Sequence, residues 1–510
     1  MRSRIEAGEW RVIVEHKSHN EKNSMKKFLV FLLGLIFPIL SFAVTFDVDG
    51  LRYNILSQQD KTVEVAIIPK SLSYPTYSKY SGDYDIPETV TFNNVIYNVI
   101  GIGNNAFSEC SNIAVTLPKT IKHIGFAAFS YSGLQSIILP EGLESIGAAA
   151  FRDCHSLTEL TIPNSLKVLE STVFYGCYNL KTVNILSSNI SEIPDDTFFK
   201  CSALTSVTIP RTVTSFGKTA FYYTSSLTTI DIPEGLTSIG NQCFAASGIE
   251  SIEIPDGVTE LPGAMFSGCT NLKSVILPKH LTTLNKGMFS GCRSLESISL
   301  PAELTIIPQN CFGGCWALNY IEFPTSLKYI YEDAFQDCRT LDIVNLPEGL
   351  ELLGNEAFYN CFINNLTLPS TLQSVGGWCF GIGPNMKTLK LPISLTKIGS
   401  YAFSKGNIQE VVCMNPVPVA CESNVFKNET YYGTLYVPKG SLDAYKATKP
   451  WSDFFNIEEH NFSSIEDINS DSNTSIVSYT NLYGIVSDRP FVGWNIILFS
   501  NGETQKVYIK

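Results

Sequence analysis

Histidine, cysteine and paired carboxylates are the side chains of this 510-residue chain that could do chemistry. Downstream of residue 43 there are only four histidines, and they lie far apart: His123, His155, His280 and His460. No two of them have the spacing of metal ligands on one element. The run from Asp47 to Gly50 begins like a calcium-binding loop but lacks the bidentate Glu that such a loop requires. The sequence therefore predicts no catalytic residues, no metal site and no cofactor.

The 14 cysteines follow a rule of position rather than a ligand motif. Nine of them lie three residues after a recurring phenylalanine: Cys110, Cys154, Cys177, Cys201, Cys269, Cys292, Cys315, Cys338 and Cys361. Elsewhere the same slot holds Ser132, Thr224, Ser247 or Gly383, so it selects a small side chain. Because free cysteine behaves as a small apolar residue, we expect buried free thiols. Disulfides between stacked neighbours are the alternative in an exported chain.

A repeat of 22 to 24 residues occupies the chain from about residue 100 to residue 440. Its unit is a short alternating apolar run closed by Pro, then (Leu/Val)-x-x-Ile-Gly, then Ala-Phe-x-x-Cys. One unit cannot bury its own apolar face, so the copies must stack into a solenoid. Fifteen phenylalanines mark the copies: Phe107, Phe129, Phe151, Phe174, Phe198, Phe221, Phe244, Phe266, Phe289, Phe312, Phe335, Phe358, Phe380, Phe403 and Phe426.

Each part of the unit predicts one element. The alternating run is typical of a strand with one buried face, and the Pro ends its ladder of hydrogen bonds. The (Leu/Val)-x-x-Ile segment predicts a second short strand, after which Gly147 or Gly240 permits a turn. The three-residue spacing from Phe335 to Cys338 favours one helical turn. The expected fold is a β-rich solenoid of about 15 coils with parallel strands and a short helical turn per coil.

The N-terminal region has the features of an export signal. Residues 25–43 predict a secretory signal peptide, with Lys26 and Lys27 before an apolar run and small residues before a cut after Ala43. The run is shorter than the roughly 20 residues of a spanning helix and contains Pro38, so no transmembrane anchor is expected. Residues 1–24 fit no part of a signal and indicate a start codon placed too early. The chain is therefore expected outside the cell or on its surface.

Both ends of the repeat region differ from it in composition. Residues 44–100 predict an N-terminal β cap, residues 101–440 the solenoid, and residues 441–459 a C-terminal cap. Tyr445, Trp451 and Phe455 are expected to close the last coil. Residues 460–476 form a polar linker, and residues 477–510 a small β tail.

Charge argues against nucleic acid as a partner. The formal net charge is -12 and only 16% of residues are charged, well below the roughly 25% of ordinary globular chains. Phosphate binding needs a basic footprint, which this composition does not supply. A partner would instead be held by shape and hydrogen bonds.

Two candidate surfaces follow from the repeat. The first is a ligand face of strand residues two before each Pro: Thr161, Thr208, Asp231, Glu253, Ser299, Glu322 and Asn345. The alternative is that threonine is present there only for its β-propensity. The second surface comprises aromatic residues after the repeat phenylalanine and cysteine: Tyr175, Tyr222, Tyr223 and Trp316. Packing between coils is the alternative role for these rings.

Together these motifs resemble the BspA-like (Treponema pallidum-type) leucine-rich repeat surface proteins of Bacteroidetes, over about residues 46–459. The opening FDVDGLRYNIL and the closing LYVPKGSLDAYKATKPWSDFFNI resemble the usual flanks of that family. The resemblance implies a right-handed leucine-rich-repeat solenoid on a bacterial surface, with members that bind host matrix proteins and other bacteria. The tail is similar to the C-terminal module that Bacteroidetes carry for type IX secretion, the alternative being a vestigial sheet.

The function expected from these observations is that of a non-catalytic adhesin or protein-binding module. A protein partner from the host matrix or a bacterial surface is favoured, and a glycan remains possible. A structural surface coat without a saturable ligand is the alternative. An enzyme is the third and least favoured class, because no reactive constellation is present in the sequence.

Overall fold

A computed structural model describes residues 44–68, 80–363, 365–381, 386–404 and 406–462, together with the backbone of four strands in the tail. The predicted signal peptide and most of the predicted linker lie outside the described residues. No helix within the described ranges combines the length and the apolar character needed to cross a bilayer.

The described chain is a β-solenoid of about 15 coils, as the repeat predicts. The strands that precede the Pro of most units, together with Thr182–Ile185 and Asn456–His460, stack along one side of the solenoid. Among the described residues they form six short sheets, which we together call the proline-side sheet. Its strands run parallel and in register, with Leu160 opposite Val183 and Ile298 opposite Ile321. They are Gly82–Asp85, Ile113–Thr116, Glu159–Ile162, Thr182–Ile185, Ser206–Thr208, Ser251–Glu253, Ser274–Ile276, Ser297–Ser299, Tyr320–Glu322, Ile343–Asn345, Asn365–Thr367, Thr388–Leu391, Glu410–Cys413, Thr434–Pro438 and Asn456–His460.

The shorter strands before the Gly position form the glycine-side sheet. Their second residue is buried in the core, except for the half-buried Cys421, and their first residue faces outward to a varying degree. They pair in parallel across neighbouring coils, as in Ile330 opposite Leu353. They are His123–Ile124, Ser145–Ile146, Val168–Leu169, Glu192–Ile193, Ser215–Phe216, Ser238–Ile239, Ile306–Ile307, Tyr329–Ile330, Leu352–Leu353, Ser374–Val375, Lys397–Ile398 and Ala420–Cys421.

The N-terminal strands extend the glycine-side sheet. Val95–Ile102 pairs in parallel with His123–Ile124 on one side and Thr62–Ala66 on the other, and antiparallel with Thr89–Phe92. Two further antiparallel strands, Thr45–Val48 and Leu51–Ser57, complete this end. The first coil is thereby covered by strands that differ from the repeat, as a solenoid end requires.

The C-terminal end is closed by aromatic side chains. The 3-10 segments Asn428–Tyr432 and Trp451–Asp453 flank a short α-helix, Leu442–Lys446. Tyr445 and Trp451 are fully buried, and the Trp451 Nε1–H donates to the Val419 carbonyl at 2.9 Å. The expectation for Phe455 is wrong: its side chain is 86% exposed, and Phe454 packs inward instead.

The tail forms a four-stranded antiparallel sheet of Ile476–Asn481, Val486–Ser487, Gly493–Phe499 and Thr504–Ile509.

The segment around each repeat phenylalanine is not the helical turn that the spacing predicts. Asp333 and Asp337, two residues before and after Phe335, have left-handed φ angles of 57° and 61°. The N–H groups of these three residues donate to carbonyls of the next coil at 2.8–3.0 Å. A helix would direct them at its own preceding turn. The left-handed residues thus exchange helical hydrogen bonds for bonds between coils.

The fifteen repeat phenylalanines form one continuous stack inside the solenoid. All of them are buried. Adjacent ring centroids are 5.1–6.1 Å apart, and the interplanar angles are at most 18°. We call this column the phenylalanine spine. Offset stacks of this kind add to the gain from burying large apolar rings.

The cysteines line the spine as free thiols. All 14 are free, and all but the half-buried Cys421 are buried. Eight thiols donate to the carbonyl of the repeat phenylalanine in the preceding coil at 2.9–3.2 Å. Ser132 and Ser247 occupy the same slot and contact the next thiol, of Cys154 and Cys269 respectively. In these coils the slot therefore holds a small side chain that forms a hydrogen bond.

Close packing explains the glycines after the second strand better than the turn that the sequence suggests. Neither Gly147 nor Gly240 has a left-handed φ. A Cβ atom at Gly240 would lie 2.3 Å from the backbone nitrogen of Lys218 in the preceding coil. The missing side chain lets two coils approach at this corner.

Candidate functional site

The proline-side sheet presents an exposed polar face. The seven side chains selected from the sequence all point outward and are exposed: Thr161, Thr208, Asp231, Glu253, Ser299, Glu322 and Asn345. They come from different coils that stack in register and form one column. Six of them lie in strands as predicted, whereas the expectation of a strand at Asp231 is wrong, because that coil has no strand on the proline side. Neighbours along the column interact, as where the Thr208 Oγ1 donates to the Asn184 Oδ1 at 3.2 Å. We call this surface the proline-side face.

The proline-side face contains shallow depressions between neighbouring coils. One, of about 510 Å³, is lined by Ser297, Ser299, Tyr320 and Glu322 among others. A second, of about 480 Å³, includes Asp231. A third, of about 360 Å³, includes Thr161, Ile138 and Glu159. A partner on this face would meet hydroxyl, amide and carboxylate groups at the rims of these depressions.

Isolated apolar side chains interrupt the polar column. Ile138 is 87% exposed and Ile276 is 59% exposed, each flanked by polar residues of the neighbouring coils. Protein interfaces concentrate their energy in a few apolar or aromatic anchors within a polar surround. These two isoleucines are the candidates for such anchors.

Three of the four aromatic residues predicted as a second surface lie together. The rings of Tyr175, Phe199 and Tyr222 stack in succession, with centroids 4.6 and 4.9 Å apart. Tyr223 lies beside Tyr222 at 6.4 Å, and the Arg152 guanidinium caps Tyr175 at 4.5 Å. Tyr175 and Tyr222 are half-buried, whereas Tyr223 is 49% exposed. Tyr175, Phe199 and Tyr222 form a packed ladder rather than an open platform.

Trp316 belongs to a different column, one residue after the repeat cysteine. Its indole lies between Arg293 and Arg339, whose Cζ atoms are 4.2 and 4.7 Å from the ring centroid. Sequence reasoning missed both arginines. The signal was available, since Arg293, Trp316 and Arg339 are spaced by 23 residues, one coil each.

The glycine-side sheet also has an exposed column that sequence reasoning missed. Four successive coils place a threonine there, and all four are exposed: Thr214, Thr237, Thr259 and Thr282. The Thr237 hydroxyl donates to the Thr214 carbonyl at 3.2 Å, so part of its hydrogen-bonding capacity is used within the sheet. The signal available in the sequence was a threonine directly after the (Leu/Val) position of four successive repeat units.

The titratable groups lie in unrelated surroundings. The His123 Nε2 is 3.0 Å from the Glu64 Oε2, whereas the His155 ring stacks on Tyr178 at 4.9 Å. Among the described residues, no group of three or more His, Cys, Asp or Glu side chains could hold a metal ion. Burial raises the pKa of Cys154 and of Cys269 to about 11. Since the thiolate is the nucleophile, these two thiols are held in their unreactive form at neutral pH.

Comparison with known proteins gives a family and several solved structures with sequence similarity to this chain. No curated protein matches the sequence. A leucine-rich repeat protein from Bacteroides ovatus is 24% identical with a TM-score of 0.45, over 82% of this chain and 100% of that chain. A leucine rich cell surface protein from Faecalibacterium prausnitzii is 26% identical with a TM-score of 0.39, over 59% and 93%. The pneumococcal vaccine antigen PcpA is 18% identical with a TM-score of 0.42, over 82% and 98%.

The family is established by the repeat region itself. The model of the BspA type leucine rich repeat region matches residues 87–205, 191–319 and 305–432. These stretches overlap and run through the coils that carry the phenylalanine spine. Because they span well over half of the sequence, the chain belongs to the BspA-type leucine-rich repeat family.

Proposed function

We propose that this protein is an exported, non-catalytic binding protein of the cell surface, whose proline-side face holds a protein partner. The adhesin role, toward host matrix proteins or other cells, is the specific form of this proposal. The observation that carries it is the exposed polar column of the proline-side face, with its depressions and its two isoleucine anchors. Membership of a repeat family supports the proposal, because stacked repeats form a long continuous surface on which a partner can bind.

The composition of the face favours a protein partner. Hydroxyl, amide and carboxylate groups around isolated apolar anchors resemble the rim and centre of protein interfaces. Three of the seven side chains of the column are carboxylates, Asp231, Glu253 and Glu322, so the face attracts a basic partner surface. We therefore expect the affinity to fall as the salt concentration rises.

Export is part of the proposal and rests on the sequence of residues 25–43. The tail is proposed to act as a sorting module for the cell surface. N-terminal sequencing of the protein recovered from the outside of the cell tests the cut after Ala43.

The experiment is a binding screen of the chain from Val44 to its end against purified matrix proteins and a glycan array. A variant with five arginine substitutions blocks the proline-side face. The substituted residues are Thr161, Thr208, Asp231, Glu253 and Glu322. These side chains point outward, so we expect saturable binding to be lost while the circular dichroism spectrum is unchanged.

A matched variant on the other sheet supplies the control, with arginines at Thr214, Thr237, Thr259, Glu260 and Thr282. Binding that survives the first variant and is lost in the control would move the site to the glycine-side sheet. Binding that survives both would move it to the ladder of Tyr175 and Tyr222. If the unaltered chain shows no saturable partner, the surface-coat function is favoured instead.

A further inference from the structure

The column one residue after the repeat cysteine carries two arginines with a tryptophan between them. Arg293 comes from the coil before Trp316 and Arg339 from the coil after it, so the guanidinium groups stack on opposite faces of the indole. All three side chains are exposed, the indole to 37%. We call this group the arginine–tryptophan column. Stacking fixes the guanidinium planes while leaving their N–H edges open to solvent.

The positive charge of the column is only partly compensated. Arg339 forms one ion pair, with the Asp337 Oδ1 at 3.3 Å. Within the described part of the chain, Arg293 forms no ion pair, although Glu296 follows it three residues later. Two fixed cations on a chain of net charge -12 create a local field that attracts an anion.

The spacing of the two arginines favours an extended ligand. They are two coils apart, which at the spacing of parallel strands is on the order of 10 Å. One carboxylate or sulfate group cannot contact both guanidinium groups at that separation. The ligand must therefore carry anionic groups at intervals along a chain.

The next position of the column adds an apolar surface. Phe362 follows Cys361 as Arg339 follows Cys338, and its side chain is 55% exposed. The neighbouring coils are held in this register by the Asn360 Nδ2, which donates to the Asp337 Oδ1 at 3.0 Å. A sugar ring presents apolar C–H groups on its face and can rest on such a side chain, while its charged substituents reach the arginines.

The backbone of the column disfavours an acidic peptide. The Ala317 N–H donates to the Arg293 carbonyl at 3.1 Å, and the Thr340 hydroxyl donates to the Trp316 carbonyl at 2.8 Å. Extended peptides gain affinity by main-chain hydrogen bonds to open backbone groups, and these groups are already paired. We infer that the arginine–tryptophan column and Phe362 bind an anionic polysaccharide, with its sulfate or carboxylate groups on Arg293 and Arg339.

The test uses the whole chain from Val44 with four defined probes. Heparin represents a sulfated polysaccharide, polygalacturonate a carboxylated one, dextran a neutral one and polyglutamate an acidic peptide. We expect at least one of the two anionic polysaccharides to bind, and dextran not to bind. The double variant R293Q/R339Q should weaken that binding by about tenfold or more, since each arginine supplies charge-assisted hydrogen bonds.

The control variant R211Q/K279Q removes the same two positive charges elsewhere on the solenoid, and its affinity should match that of the unaltered chain. The inference is overturned if neither anionic polysaccharide binds, if R293Q/R339Q binds as tightly as the unaltered chain, or if the control loses as much. Polyglutamate that binds equally well and depends on the same arginines would replace the polysaccharide by an acidic peptide. A fivefold alanine variant of the proline-side face, at Thr161, Thr208, Asp231, Glu253 and Glu322, should keep this binding, which separates the inference from the proposed protein partner.

Discussion

At the scale of single residues, the buried thiols give the chain a stability that depends on pH. Burial raises the pKa of Cys154 to about 11, whereas a thiol in an unfolded chain titrates near about 8.5. Above that pH the unfolded chain releases a proton that the folded chain keeps. The free energy of unfolding therefore falls as pH rises, by about 1.4 kcal/mol per pH unit for such a thiol, until the folded pKa is reached.

We expect Cys154→Ala to lose less stability than the unaltered chain between pH 7 and pH 10, by about 1 kcal/mol or more. Urea unfolding at the two pH values measures the difference. Thr224→Ala is the control, because Thr224 fills the same slot of another coil, donates to the Phe221 carbonyl and does not titrate. Identical pH dependence in the unaltered chain and in Cys154→Ala would contradict the assignment.

At the scale of the coil, the corner after the second strand is set by close approach between backbones. A Cβ atom at Gly240 would lie 2.3 Å from the Lys218 nitrogen and 2.5 Å from the Gly217 carbonyl carbon, neither of which can move alone. We expect Gly240→Ala to lower the free energy of unfolding by about 1–3 kcal/mol, the usual cost of overpacking.

The matched control at this scale is Gly287→Ala. Gly287 has a left-handed φ of 64° and open space around it, and Ala264 holds the same position of the preceding coil at φ 53°. Gly287→Ala should lower the free energy of unfolding less than Gly240→Ala does, as measured by thermal or urea unfolding. A larger loss at Gly287 would mean that backbone freedom, and not close approach, selects glycine in this protein.

The elements also show where sequence reasoning succeeds and where it fails. The period of two placed Thr161 and Glu322 on the outer face, because strand geometry alone decides that alternation. The left-handed turn segment was not foreseen, since Asp, Thr, Ala and Lys occupy its left-handed positions and residue type does not report their φ. The arginine–tryptophan column was missed because contacts between Arg293 and Trp316 depend on the register of stacked coils.

At the scale of the whole molecule, the phenylalanine spine ties every coil to the next. Phe289 is fully buried in mid-array, with its neighbours Phe266 and Phe312 at 5.6 and 5.3 Å. We expect Phe289→Ala to cost about 3–5 kcal/mol through the cavity that it leaves. Because each coil contacts only its neighbours, hydrogen exchange should show the loss of protection centred on the coils around residue 289.

Phe455→Ala is the control for the spine, since that side chain is 86% exposed, and it should change stability little. A fully tolerated Phe289→Ala would show that the spine is not the core of the solenoid. Protection lost evenly along the chain would show that the coils unfold as one unit.

The hydrogen bonds between coils have opposite directions at two edges of the solenoid. In eleven successive coils, from that of Phe107 to that of Phe335, the three N–H groups of the segment all point to carbonyls of the following coil. Their peptide dipoles therefore add along the long axis, as they do in an α-helix, but with the positive pole toward the C-terminus. The corner after the second strand is oriented the other way, since the Gly147 N–H donates to the Ile124 carbonyl and the Gly240 N–H to the Phe216 carbonyl of the preceding coil. Two edges of the solenoid therefore carry opposed columns of aligned dipoles, which offset each other along the rod.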